Sequence, residues 1–134
     1  MDIVAALFVE GIEMRQVPGP STRIDLTGVM FSAPAPSPPP VTLAPHLVVL
    51  VRETTTGTGT ASLVCEFVRQ EDGEQVARNV QLVQVAPGKF GRQLVKAELE
   101  FNGYGTIEAR CRLNADGHVT AVPFTLLPPP EPAI

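Results

Sequence analysis

The sequence predicts an all-β protein, a two-layer Greek-key β-sandwich of about nine short strands. Three observations indicate this class. The 134 residues include 14 Pro and 11 Gly, enough turn residues to separate many short strands. No long stretch keeps an apolar stripe at helical spacing without a Pro or Gly. Apolar residues make up 44% of the chain and charged residues 18%, as in a globular domain with a core.

The length and composition indicate one domain, residues 1–127, followed by a proline-rich tail, residues 128–134. The net charge of −4 argues against a nucleic-acid partner, since phosphate binding needs a basic surface. The first residues have an acid at Asp2 and their apolar run is interrupted by Glu10, so neither a signal peptide nor a membrane span is expected. We therefore predict a cytoplasmic protein without membrane contact.

The central strand is predicted within Val41–Arg52. Its segment Leu47–Val51 is apolar at five consecutive positions, and consecutive strand residues point to opposite faces of a sheet. Both faces of this strand should therefore be covered, which places it in the middle of a sheet. Asp2–Glu10 is a second, nearly continuous apolar strand.

The next segments are shorter and more polar. Gly11 is expected to end the first strand, and Ile12–Val17 alternates as a half-buried strand does. Arg23–Phe31 alternates similarly, with a bulge at Gly28. Ala33–Pro40 must be extended and polyproline-like. It could be a docking motif, but no flanking Arg or Lys orients it, so a stiff crossover between strands is favoured.

Two hairpins are predicted from turn residues. A two-residue turn at Asp72-Gly73 sets Cys65 opposite Val80 and, two residues away, Leu63 opposite Leu82. Near the end of the chain, a hairpin across residues 114–117 sets Ala109 opposite Val122 and Ile107 opposite Phe124.

The junction near Asn102-Gly103 does not fit a hairpin. A two-residue turn buries Arg110 and Glu108 against apolar partners, and a three-residue turn sets Glu98 against Glu108. We therefore expect the chain to change sheets here, as at a corner between the two layers of a sandwich.

Residues able to support chemistry are few. His46 and His118 are the two histidines, and no zinc-ligand spacing surrounds them; His46 at the mouth of the central strand is a weak ligand-site candidate. Cys65 and Cys111 have apolar neighbours, which favours buried, reduced thiols, with a disulfide as the alternative. Residues 54–60 and 86–91 lack phosphate-loop spacing. We find no catalytic group and predict no enzyme activity, cofactor or metal.

Five short stretches of the sequence carry a family resemblance: Ala5–Phe8, Ile24–Gly28, Pro45–Arg52, Phe101–Ile107 and Val122–Phe124. Together they resemble a family of small bacterial β-sandwich proteins known as domain of unknown function 6941. The resemblance implies a β-sandwich and supplies no activity, cofactor or catalytic residue.

A looser likeness is to immunoglobulin-like sandwiches, in which two inward-facing cysteines can join the facing sheets. Cys65 and Cys111 could occupy those places. The sequence departs from that pattern because it has no Trp and has Ala109 where a corner tyrosine would lie.

The functional prediction rests on surplus hydrophobicity, because a two-sheet sandwich covers only one face of each sheet. Large uncovered apolar patches are uncommon on soluble monomers, so we expect self-association, most simply a twofold dimer working as a binding or assembly module. The possible interface residues are Ile3, Ala5, Leu7, Val48 and Leu50. The alternative is a lectin-type or lipid-binding sandwich with a small-ligand site at the loop end.

Overall fold

A computed structural model describes residues 1–15, 23–115 and 117–130 of the chain. These residues form eleven β-strands and no helix, so none of the described segments is a helix that could span a membrane. The strands are β1 (Asp2–Arg15), β2 (Arg23–Met30), β3 (Ser32–Pro34), β4 (Val41–Leu43), β5 (His46–Arg52), β6 (Thr60–Arg69), β7 (Gln75–Gln84), β8 (Phe90–Lys96), β9 (Leu99–Phe101), β10 (Gly105–Leu113) and β11 (Thr120–Leu127).

The strands form two main sheets, which confirms the predicted all-β sandwich class. Sheet A has the order β2-β1-β5-β8, and sheet B has the order β3-β11-β10-β6-β7. A two-stranded pair, β4-β9, adds to them. The count exceeds the predicted nine because three strands are only three residues long. Two of them, β4 and β9, are separated from β5 and β8 within stretches each predicted as a single strand. The third, β3, overlaps the start of the predicted connector and pairs in parallel with β11.

The core lies between the two sheets and is almost wholly aliphatic and aromatic. Phe8 from sheet A meets Phe124 from sheet B edge to face, with ring centroids 5.3 Å apart. As predicted, β5 is central, between β1 and β8. Its inner residues Leu47, Val49 and Val51 are fully buried.

Two expectations about connections are confirmed. After β8 the chain leaves sheet A, forms β9, and enters sheet B as β10. The last hairpin has the predicted register, with Ala109 opposite Val122 and Ile107 opposite Phe124.

Two expectations are wrong in detail. Gly11 does not end the first strand, because β1 continues to Arg15 and stays paired with β2; the predicted end of the Ile12–Val17 strand lies outside the described residues. The hairpin of β6 and β7 exists, but Cys65 lies opposite Asn79 and Leu63 opposite Gln81.

The register of this hairpin shifts because the turn is longer than two residues. Arg69 and Gln75 end the two strands, and a bulge follows Phe67. A shift of one residue reverses the face of every side chain. Val80 and Leu82 therefore point outward, and Leu82 is 66% exposed.

Glutamines on the inner faces join the neighbouring edges of the two sheets. Gln81 of β7 donates from Nε2 to the carbonyl oxygen of Leu94 in β8, at 3.1 Å. Gln93 of β8 donates from Nε2 to Oε1 of Gln81, at 2.9 Å. The edges of β7 and β8 are thus capped by side-chain hydrogen bonds, a means of limiting edge-to-edge pairing.

Candidate functional site

The outer face of sheet A is the surface that the sequence singled out. The cross-strand register places a set of apolar side chains on this face, away from sheet B. We call it the outer apolar face; it comprises Ala5, Leu7 and Val9 of β1, Val48 and Leu50 of β5, Val29 of β2 and Leu94 of β8.

The predicted interface residues divide into three groups. Ala5, Leu7 and Leu50 lie on the outer apolar face and are half-buried. Val48 also lies there but is 1% exposed. Ile3 does not share this face, because a β-bulge between Ile3 and Ala5 turns it inward, opposite Val51, where it packs against the core.

The chain's own β1–β2 hairpin covers part of this face. The distal half of this hairpin, residues 11–15 and 23–27, is called the arm here. The arm leaves the sheet at the His46 end of β5, and Leu50 lies four residues, roughly 13 Å, from that end. An arm that continued straight would therefore extend away from Leu50. Ile24 in the arm nevertheless lines one surface cavity of about 240 Å³ with Leu50 and Phe90. The arm therefore folds back over the outer apolar face.

Glycines lie where the arm bends. Gly11 and Gly28 are on the two paired strands at this point, and Gly28 has φ of 65°, a left-handed conformation that few residues other than glycine adopt. A Cβ at Gly28 would lie 2.6 Å from a carboxylate oxygen of Glu10. The bend explains why Val9 and Val48 are buried although they belong to the face directed away from sheet B.

His46 lies at the mouth of β5, as expected, between Val9 of β1 and Lys96 of β8. Its Nδ1 atom is buried without a hydrogen-bond partner among the described residues. Cavities of about 330 and 290 Å³ flank the ring; Glu10 lines the first and Glu98 the second. Nevertheless, no group of three or more metal-ligating side chains forms within the described part of the chain.

A fourth surface cavity lies at the loop end, between the β6–β7 turn and the β9–β10 loop. Its volume is about 370 Å³, and its lining includes Arg69, Asn102, Tyr104 and Thr106. Tyr104, the one tyrosine of the chain, is 45% exposed here. Arg69 is held by ion pairs to Asp72 and Glu74 in the neighbouring turn. We call this cavity the loop-end cleft.

Sequence reasoning missed Glu53, which is 2% exposed and is the buried charged side chain of the described residues. Its carboxylate accepts hydrogen bonds from the backbone N–H groups of Thr54, at 2.8 Å, and Gly59, at 2.9 Å. The amino group of Met1 lies 3.3 Å from it. A Cβ at Gly57 would overlap this carboxylate, so the threonine-glycine loop closes around Glu53. The one available signal was an acid placed directly between an apolar strand and a glycine-rich loop.

Burial and hydrogen bonding have opposite effects on the pKa of Glu53. Burial raises the pKa of the carboxyl group, but the backbone donors of Thr54 and Gly59 and the amino group of Met1 outweigh it, so the pKa is lowered from 4.5. The arrangement stabilises the loop that closes around Glu53.

Cys65 and Cys111 are free, fully buried thiols. They do not lie on facing sheets, as in an immunoglobulin-type pair, because β6 and β10 are neighbours in sheet B and the two residues are directly opposite each other. Any bond between them would be a cross-strand bond within one sheet.

Comparison of the sequence with protein-family models and with curated proteins gave no match. The resemblance to domain of unknown function 6941 therefore stays a prediction, and function has to be inferred from the surfaces described above.

The Glu53 carboxylate should make folding stability depend on pH. Because the pKa is lowered in the folded chain, the carboxylate stabilises the fold fully above the ordinary value of 4.5, and this contribution is lost as the pH falls through the lowered value. We expect Glu53→Gln to unfold at lower urea concentration than the unsubstituted chain at pH ~7, with the difference shrinking below pH ~4.

Glu100→Gln, an exposed acid on β9, is the matched control and should change the urea midpoint little. A Glu53→Gln difference that stays constant from neutral to acidic pH would show that the charge of this carboxylate does not stabilise the fold.

Proposed function

We propose that this protein is a non-enzymatic, self-associating β-sandwich, which forms a twofold dimer through the outer apolar face and works as a binding or assembly module. The observation that supports the proposal most directly is the part of this face that the arm leaves open. Leu94 is 42% exposed and Val29 44% exposed, and between them Leu7 and Leu50 are only half-buried.

The open part of the outer apolar face is apolar, whereas the solvent-exposed face of a sheet in a monomeric protein is normally polar. In a strand with one solvated face the outward residues are usually charged or polar, yet β1 and β5 place Leu7 and Leu50 outward beside the buried Val48. Apolar area removed from water stabilises an interface by about 25 cal/mol per Å². A second molecule that covers these side chains would therefore gain free energy from them.

A second copy of the chain fits this face better than an arbitrary partner does, because a twofold axis sets the apolar patch against an identical patch. Arg92 and Lys96 project from β8 at one flank, and neither forms an ion pair within the described residues. A twofold axis parallel to the strands keeps the two basic flanks on opposite sides of the interface. Both cations then remain at a hydrated rim, as in typical interfaces.

The proposal predicts that a charge placed on the open face separates the dimer. Leu94→Glu would replace apolar interface area by a carboxylate that has to lose water when the dimer forms. Even with Arg92 and Lys96 two positions away on the same strand, we expect dimerisation to weaken by about a hundredfold. Light scattering at high micromolar concentration should give twice 14.3 kDa for the unsubstituted chain and 14.3 kDa for the variant.

The matched control is Leu82→Glu, since Leu82 is equally large and more exposed but lies on the outer side of sheet B. This variant should remain dimeric. A monomer mass for the unsubstituted chain, or equal masses for the two variants, would contradict the proposal.

The loop-end cleft supports a second candidate function, small-ligand binding of the lectin type. Sugars commonly stack on aromatic rings, and the one tyrosine of the chain is exposed in the largest of the cavities described. Polar side chains in the lining, Arg69, Asn102 and Thr106, can hydrogen-bond to a hydroxylated ligand.

A thermal-shift screen against a panel of neutral sugars separates the two functions. If the cleft binds a sugar, a ligand at about 100 times its Kd should stabilise the fold by about 2.7 kcal/mol, and Tyr104→Ala should abolish the shift. Val119→Ala, which removes another exposed apolar side chain outside the cleft, should leave the shift intact. Failure of every sugar to raise the melting temperature would remove this second candidate.

A further inference from the structure

The buried thiols of Cys65 and Cys111 are positioned to react with one another. The two Sγ atoms lie 3.5 Å apart across adjacent strands, within S–H···S hydrogen-bonding distance. Residues directly opposite in an antiparallel pair have Cα atoms about 4.5 to 5.5 Å apart, and a disulfide requires about 4.4 to 6.8 Å. The backbone spacing already suits a bond, and only side-chain rotation has to bring the sulfur atoms together.

A polar residue on the edge strand of sheet B is the cross-strand neighbour of this pair. Asn79 of β7 lies directly opposite Cys65 on an edge strand and is half-buried. Its Oδ1 atom is buried and accepts no hydrogen bond within the described residues. A buried acceptor without a hydrogen bond lowers the stability of the fold, and a small donor molecule that reached it would restore that bond. The row Asn79–Cys65–Cys111 therefore joins an unpaired acceptor at the sheet edge to two thiols inside the core.

We propose that Cys65 and Cys111 form a peroxide-reactive dithiol, which hydrogen peroxide converts into a cross-strand disulfide within one chain. Peroxide is little larger than water and donates hydrogen bonds, which suits the free Oδ1 atom of Asn79. This site is independent of the proposed dimer and of the loop-end cleft.

The reaction balances in two steps. The Cys65 thiol first loses its proton, and the resulting thiolate attacks one peroxide oxygen. The O–O bond breaks and the leaving hydroxide takes up that proton, which gives a sulfenic acid and water. The Cys111 sulfur then attacks the Cys65 sulfur, the S–O bond breaks, and the hydroxyl leaves as a second water with the Cys111 proton. Overall, two thiols are oxidised by two electrons and one peroxide is reduced to two waters.

The surroundings favour Cys65 as the attacking residue. The contact between the two sulfur atoms lowers the pKa of Cys65, while that same contact, with burial, raises the pKa of Cys111. Thiolate is the reactive form of cysteine. Cys65 is also the cysteine next to the half-buried Asn79 on the edge strand, so both observations indicate the same residue.

In the test, the full folded chain is treated with hydrogen peroxide. Thiols that remain are then blocked with an alkylating agent under denaturing conditions, and the products are measured by mass spectrometry. We expect loss of two hydrogens, about 2 Da, a peptide pair linking Cys65 to Cys111, and reversal by dithiothreitol. Circular dichroism must show that the chain stays folded during treatment.

Serine variants test the assigned order. In Cys111→Ser, Cys65 should be trapped as a sulfenic acid adduct of dimedone; in Cys65→Ser, Cys111 should remain a free thiol. If either variant fails to fold, Asn79→Ala provides the second test and should slow disulfide formation severalfold. Thiols that stay reduced in the folded unsubstituted chain, or react only at urea concentrations that unfold it, would overturn the proposal.

Discussion

The structure depends on the need to cover β5 on both faces. Its inner residues Leu47, Val49 and Val51 are covered by sheet B, as in any sandwich. Its outer residue Val48 is just as inaccessible, although the strands of the described residues form no third layer above sheet A. Apolar side chains leave water because each buried methylene is worth about 0.8 kcal/mol. An apolar strand of this kind therefore requires a cover that the two-layer architecture does not provide.

The chain supplies part of that cover from the same sheet. The β1–β2 hairpin is longer than the strand beside it, and its arm bends at Gly11 and Gly28 to bring Ile24 beside Leu50. Because the arm accounts for the burial of Val48, no second molecule is needed to cover that side chain. The surface left for a partner is therefore only the margin of the outer apolar face around Leu94. The proposed dimer thus completes a cover that the arm begins, and the proposal concerns the uncovered margin rather than the whole face.

Sequence patterns predicted features that depend on apolar alternation and on charge. The change of sheet before β10 followed from the conflict between Glu98 and Glu108, and the central position of β5 from its continuous apolar run. Patterns failed where one extra residue enters a strand. The bulge after Ile3 turns it inward, and a longer turn combined with the bulge at Phe67 changes the partner of Cys65 from Val80 to Asn79. The folded-back arm and the Glu53 loop are contacts between distant or irregular segments, which periodicity does not encode.

The proposed cover of sheet A by the arm and by a second copy is tested most directly by the solvent access of individual methyl groups. This access is measured by NMR relaxation with a soluble paramagnetic agent across a range of protein concentrations. Val48 methyls should be shielded at every concentration, because the arm covers them. Leu94 methyls should be strongly relaxed in dilute protein and become shielded as concentration rises, because the second copy covers them. Strong relaxation of Val48 in dilute protein, or of Leu94 at the highest concentration, would contradict the proposed cover.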